Sequence, residues 1–248
     1  MASLTKRNEM PKKMWTPTAK DVENSEMTRF MRFVEQNYNA PPMSTYHELH
    51  RWSVTEYSSF WMALWKFIDV KASIQPVAAY DDVTKFPGCK FYPGALMNFA
   101  ENMLKYRDDR TAIIFQCDSS VRAKKITYRE LYDSVSKFAA ALKRSKVKCG
   151  DRVAGFIPNI PESVIAMLAA TSMGAIWSSC SPDFGIQGVM DRFGQIEPTV
   201  LFTTTAYFYK GKRVDLMGKV KDITKQIKSL KKVVFVPYTE GTEYKIGI

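Results

Sequence analysis

The sequence predicts an α/β protein: a helical N-terminal segment followed by a doubly wound, mainly parallel sheet that is incomplete at residue 248. Three observations predict it. Short apolar runs such as Val233-Val234-Phe235-Val236 lack polar alternation, as strands buried on both faces require. From Arg152 onward such runs alternate with amphipathic stretches at near-regular spacing. Before Tyr80 the apolar residues recur at helical intervals instead.

In chain order, Thr28–Val34 is a short helical stretch, broken by Pro41-Pro42. Ser53 with Glu56 matches a capping box, in which hydroxyl and carboxylate each satisfy a free backbone N–H. The helix it would open carries Phe60, Trp61, Leu64, Trp65 and Ile68 as one stripe. A loop-rich connector, Pro76–Ala95, holds Pro87, Gly88, Pro93 and Gly94, and Leu96–Leu104 resumes helical spacing. Thr111–Phe115 and Lys124–Thr127 are strand candidates. Thr127 and Glu130 form a second capping box, opening a helix with Leu131, Val135, Phe138, Ala139 and Leu142 on one face.

The turn Lys148-Cys149-Gly150-Asp151 leads into a strand, Arg152–Ile157. Pro161 stands at a first helical position, and Gly174 ends the helix that follows. Ala175–Ser179, Thr199–Thr203 and Lys232–Val236 are the remaining strands, separated by helices over Gln187–Gln195 and Val214–Ser229. The resulting β-α-β-α-β-α-β order divides the chain into a helical region, residues 1–105, and an α/β region, residues 106–248. Lys232–Val236 would be an uncovered apolar strand, so these residues are expected to be marginally stable alone.

Composition narrows the function classes. The 248 residues are a quarter charged and 46% hydrophobic, an ordinary globular balance that excludes a low-complexity or disordered chain. Cys89, Cys117, Cys149 and Cys180 are too sparse for a disulfide framework and contain no C-x-x-C pair, which predicts reduced thiols in the cytosol. The first fifteen residues have charges but no apolar run behind them, arguing against a signal peptide. Ser163–Pro182 reaches membrane length without a charge, but its serines and Gly174 favour a helix followed by a buried strand. No membrane association is expected.

The formal net charge of +11 suits an anionic partner. Between Lys210 and Lys232, nine basic residues stand against Asp215 and Asp222. Lys221, Lys225 and Lys228 lie opposite Val220, Ile223 and Ile227, the pattern of a solvated helix face. Lys210, Lys212 and Arg213 precede that helix, where an anion could meet side chains and free N–H groups together. Nucleic-acid binding is not expected, since no recognition motif accompanies the charge.

No catalytic constellation stands out. His47 and His50, the only histidines, share a helix face beside Glu48, but no matched third and fourth ligands follow, so no metal site is expected. Neither histidine fits a nucleophile-elbow pattern, and neither common phosphate-loop motif is present. Gly185-Ile186-Gln187-Gly188 lies between a strand end and a helix start, where ligands collect in such sheets, but a plain turn would read the same.

One stretch is specific. Across Asp151–Pro198, SPDFG (Ser181–Gly185), GVMDRF (Gly188–Phe193) and QIEP (Gln195–Pro198) resemble the early core of the adenylate-forming acyl-CoA synthetases. Those three motifs are similar to the acetoacetyl-CoA synthetase branch rather than the acetyl-CoA branch. ITYRELYDSVSKFAAAL (Ile126–Leu142), HRWSVTEYSSFWMALWKF (His50–Phe67) and LMNFAENML (Leu96–Leu104) resemble the family's preceding segments. The resemblance extends from about Met14 to Tyr238.

It implies a two-step ligase of ketone-body and lipid metabolism. Acetoacetate would attack the α-phosphate of Mg2+-bound ATP, and the thiol of coenzyme A would then displace AMP. The family's glycine-rich phosphate loop, its acidic metal-binding motif, its ribose-binding Asp and its C-terminal lysine have no counterpart here, and Thr203-Thr204-Thr205 is no substitute. The chain therefore reads as an N-terminal portion, expected to be inactive alone, with no catalytic residue assigned. The alternative is a shortened isoform serving as a non-catalytic coenzyme A-binding or regulatory module.

By position, the family's pantetheine-side Phe corresponds to Phe184, although the glycines before it are Pro182 and Asp183 here. Its Arg-x-Gly-Arg phosphate motif falls on Tyr209-Lys210-Gly211-Lys212. Lys212 keeps the charge without a guanidinium fork, and Lys210 and Arg213 could assist it. Phe184, Lys210, Lys212 and Arg213 are thus the candidate coenzyme A contacts, with core packing the competing reading for Phe184.

Overall fold

A computed structural model describes residues 13–117 and 123–238. The N-terminal stretch read against a signal peptide is therefore largely outside the described residues, as are those after Tyr238. The chain forms two compact units, Met1–Leu96 and Met97–Ile248.

The first unit contains helices α1 (Ala19–Glu23), α2 (Glu26–Asn37), α3 (Tyr46–Thr55) and α4 (Tyr57–Phe67). Its core joins Phe30, Met31 and Val34 of α2 to Leu49 and Trp52 of α3 and Ala63 of α4. Phe30 makes edge contacts with Phe60 at 5.8 Å and Phe67 at 5.1 Å, the geometry the aromatic quadrupole favours. The expected stripe on α4 packs inward through Phe60, Leu64 and Trp65, joined by Ala63, and fails only at Ile68, which is exposed.

The capping box at Ser53 and Glu56 is not formed. Ser53 lies inside α3 and donates to the His50 carbonyl, while Glu56 joins α3 to α4 with no side-chain cap. The box that forms is Thr45 with Glu48, eight residues earlier: Glu48 N–H donates to Thr45 Oγ1, and Thr45 N–H donates to Glu48 Oε2 at 2.8 Å. The Ser44 N–H, the Thr45 hydroxyl and the Thr45 N–H, all donating to the Glu48 carboxyl, hold it down at about 2.

The second unit opens with α5 (Phe99–Met103), then β1 (Thr111–Phe115), β2 (Lys124–Thr127), α6 (Tyr128–Arg144), β3 (Arg152–Phe156) and α7 (Pro161–Ser172). There follow β4 (Ile176–Cys180), α8 (Ile186–Ile196), β5 (Val200–Thr203), β6 (Ala206–Tyr209), β7 (Lys212–Asp215), α9 (Met217–Gln226) and β8 (Lys232–Phe235). The predicted capping box at Thr127 and Glu130 forms at the start of α6. The charge-free stretch is α7 followed by β4, and no described helix is long and apolar enough to cross a membrane.

The parallel sheet has the order β4-β3-β5-β8. Its two faces are covered separately. Val153, Val200 and Phe202 pack with α6 and α7, whereas Ala154, Phe156 and Leu201 pack with α8 and α9. That alternation is the physical content of a doubly wound sheet. β1 and β2 pair antiparallel with each other, apart from this sheet.

The short helix α1 and the strands β6 and β7 are absent from the sequence-based expectations. β6 and β7 form a hairpin whose tip residues, Lys210 and Gly211, have φ of 50° and 73°. Two consecutive positive values in a two-residue loop match the tight hairpin turn whose twist suits paired strands. The sequence reading had extended the following helix back to Val214; it starts at Met217.

Glycine decides two local geometries. Gly174 has φ of 74°, and a Cβ there would lie 2.7 Å from Cys149 Sγ. Gly150 has a comparable φ of 82° but open space around it. Gly174→Ala is therefore predicted to destabilise the fold more than Gly150→Ala, by about 1–3 kcal/mol. Urea unfolding of both variants checks this; equal losses would remove the contact with Cys149 from the account. In the first unit, Thr45→Ala should cost about 1 kcal/mol and Ser53→Ala much less. Because the folded carboxyl of Glu48 titrates below its usual value, its contribution is present above about pH 4.5 and is lost as pH falls towards 2. Acid titration of α3 helicity in wild type and Glu48→Gln measures that window.

Candidate functional site

Ligand-facing geometry in this sheet follows from strand order. The chain leaves β3 for β4 on one side and then crosses to β5 on the other, so the segments after these strands meet at one edge. The segment after β4, Ser181–Gly185, is the most constrained of them. Ser181 Oγ donates to Asp183 Oδ2 at 3.0 Å, and Phe184 N–H donates to the Ser181 carbonyl at 3.2 Å.

Two distant side chains reach into this loop. The Tyr207 hydroxyl of β6 donates to Asp183 Oδ1 at 2.6 Å, and Lys219 of α9 donates to the carbonyls of Pro182 at 3.3 Å and Phe184 at 3.5 Å. The bond to Asp183, with some desolvation, pushes the Tyr207 hydroxyl up to about 12. Neither residue is marked by any local sequence pattern, and no signal short of the fold would have found them.

Phe184 belongs to none of the buried core clusters and is 37% exposed. One ring face packs on the first turns of α8, with the Arg192 guanidinium 4.3 Å from its centroid. A Cβ at Gly188 would lie 3.2 Å from the Phe184 ring, so this glycine makes room for it. Gly185 is the N-cap of α8. The two glycines thus start a helix and seat an aromatic ring.

The hairpin sorts the candidate cations. Tyr209 pairs with Lys212, Phe208 with Arg213 and Tyr207 with Val214. Directly paired residues share a face and neighbours along a strand alternate. Lys212 therefore lies on the Tyr207–Tyr209 face, the one bonded to the Asp183 loop. Arg213 lies on the opposite face, with Phe208, and its guanidinium is 3.9 Å from Asp215. Lys210, at the tip, places its ammonium 5.4 Å from the Tyr209 ring. All three cations are exposed. They line a hairpin and not the start of α9, so the helix N–H groups expected to help them are not adjacent in the chain.

Thr203, Thr204 and Thr205 are buried, and Thr204 Oγ1 has no hydrogen-bond partner among the described residues. Buried hydroxyls of this kind do not fit a phosphate cradle, which needs exposed N–H groups. His47 and His50 sit beside the Tyr46 ring, Glu48 is committed to its cap, and no group of three or more metal-ligating side chains occurs among the described residues. The four cysteines form no disulfide among the described residues, and burial pushes the Cys180 thiol up to about 11, away from thiolate chemistry. The arrangement is a clamped loop presenting an aromatic ring, with a cationic hairpin tied to it.

Comparisons with known proteins agree on this chain's relatives. Residues 99–245 match the AMP-binding enzyme family, and residues 46–103 match the acetyl-coenzyme A synthetase N-terminus family. The chain is 41% identical to an acetoacetyl-CoA synthetase of Macaca fascicularis, over 93% of its own length and 34% of that protein. It is 39% identical to an acetoacetyl-coenzyme A synthetase of Rhizobium meliloti (strain 1021), over 91% and 34% respectively. The solved acetoacetyl-CoA synthetase from Streptomyces lividans superposes with a TM-score of 0.85 at 38% identity, covering 94% of this chain and 36% of that one. The chain thus spans about a third of the length of the curated relatives it matches.

Loss of the Tyr207 hydroxyl is predicted to free the loop: Tyr207→Phe should cost about 0.5–1.5 kcal/mol and raise amide exchange over Asp183–Gly185. Ultraviolet titration should find one tyrosine ionising near 12 in wild type, moving down in Asp183→Asn. An unchanged titration in that variant would mean that the bond to Asp183 is not the cause.

Proposed function

The chain belongs to the AMP-binding enzyme family, and on that premise we propose that these 248 residues form the N-terminal region of an ATP-dependent acetoacetate–CoA ligase. The overall reaction converts acetoacetate, ATP and coenzyme A to acetoacetyl-CoA, AMP and pyrophosphate. The observation that carries the reading is the residue-level similarity, about 40% over more than nine-tenths of the chain, to acetoacetyl-CoA synthetases of an animal and a bacterium. Four cysteines without a disulfide among the described residues are in keeping with a reducing, cytosolic setting.

Within this reading, residues 1–105 are the leading helical region and residues 106–248 the first part of the catalytic α/β domain. The role of the present residues is binding and positioning. Lys212 and Lys210 neutralise the 3′-phosphate of coenzyme A from the loop-bonded side of the hairpin, and Arg213 supplies field from the other side. Phe184 offers its exposed ring face to the apolar arm of the same molecule. Activation of the acetoacetate carboxylate by Mg2+-bound ATP needs phosphate-binding groups that Thr203–Thr205 do not provide. On this reading the 248 residues alone are non-catalytic.

Two measurements test this reading. The purified chain should show no acetoacetate-dependent ATP–pyrophosphate exchange, and detectable exchange would contradict the assignment of roles. In calorimetry, coenzyme A should bind more tightly than its 3′-dephospho form, with the difference abolished in Lys212→Gln. Equal affinities in wild type would remove the phosphate role from Lys212.

A further inference from the structure

The opposite edge of the sheet carries a second concentration of positive charge, unrelated to the hairpin. A recess of about 290 Å3 opens there between the end of α6 and the starts of β3, β5 and β8, lined by Lys146, Lys231 and Lys232 together with Ser145, Asp151 and Thr199. None of the three lysines makes an ion pair among the described residues. Lys232 uses a neutral partner instead, donating to Ser145 Oγ at 3.0 Å. The one carboxylate on the rim, Asp151, already accepts the backbone N–H of Lys148 at 2.8 Å.

Lys146 occupies an unusual backbone position. Its φ is 62°, directly after the α6 cap residue Ser145, where glycine is the residue of lowest cost. The N–H groups of Lys146 and Val147 close the helix through the Lys143 and Leu142 carbonyls, so the conformation is fixed. A lysine there complements the helix C-terminal dipole, which accounts for its charge but not for Lys231, which arrives from the chain before β8. Three lysines from two segments remote in sequence thus line one concavity.

We propose that this recess is a binding site for a small, multiply charged anion of the phosphate class, separate from the coenzyme A surface. A concave site lined by one sign of charge concentrates counter-ions, and lysine ammoniums act on phosphoryl oxygens as mobile point charges. Thr199 and Ser145 complete the rim, with their hydroxyls donating to the Arg152 and Ala141 carbonyls, so the lysines carry the recognition. The site lies at the sheet edge where β3, β5 and β8 begin, whereas the proposed coenzyme A loops follow the strand ends, so occupancy of one does not require the other.

The test is titration calorimetry of the 248-residue chain with pyrophosphate in chloride-matched ionic strength. Saturable binding at this recess is expected, besides any at the cations of the β6–β7 hairpin. Lys146→Gly combined with Lys231→Gln should weaken it at least about tenfold, equivalent to about 1.4 kcal/mol. Lys212→Gln should leave it unchanged, which separates this site from the proposed phosphate contact of coenzyme A. Lys146→Gly should also retain or raise the melting temperature, since glycine suits that backbone; a folded variant that has lost pyrophosphate thus reports on charge alone. Absence of saturable binding, equal affinity in the double variant, equal loss in Lys212→Gln, or equal binding of citrate would each overturn the proposal.

Discussion

Strand β3 has a hydrogen-bonded neighbour on each side and an apolar layer on each face, and those four contacts set where the other elements of the second unit can lie. Val153 turns to the α6–α7 layer and Ala154 and Phe156 to the α8–α9 layer. Gly155 between them is limited by Trp177 on β4, whose ring atoms would lie 2.7 Å from an added Cβ. A strand buried in this way can be followed only by helices that return over one face or the other. The chain does both, and the change of side brings the ends of β3, β4 and β5 to a common edge. The loop at Asp183 and the hairpin at Tyr207 meet there for that reason.

The loop's rigidity comes from long-range bonds and not from its own composition. Asp183 is tied to Ser181 within the loop, but Tyr207 and Lys219 arrive from elements that come later in the chain. Binding surfaces gain affinity when their ordering cost is met before the ligand arrives. Phe184, packed near Gly188 and Arg192 and still 37% exposed, is such a preordered group.

Much of the fold was legible because its signals were local. Val233–Val236 announced a strand, Pro161 a helix start, Gly174 a helix end and Thr127-x-x-Glu130 a cap, and each is found in its place, although β8 is a half-buried edge strand rather than one buried on both faces. Failures arose where local signals compete. Thr45-x-x-Glu48 and Ser53-x-x-Glu56 match the same pattern, and only the packing of Leu49 and Trp52 in one continuous α3 decides between them. The hairpin escaped notice because its turn uses Lys210, a residue with no preference for positive φ, in place of asparagine or aspartate. Its omission hid the site's main distinction, that Lys212 shares a face with Tyr207 and Arg213 does not. Strand register, which a single sequence does not print, carries that information.

Hydrogen exchange of the chain with and without coenzyme A tests the central claim most directly. The account predicts slowed exchange over residues 181–185 and 206–213, with residues 143–151 and 228–232 unaffected. Protection confined to the second set, or none at all in the first, would contradict it.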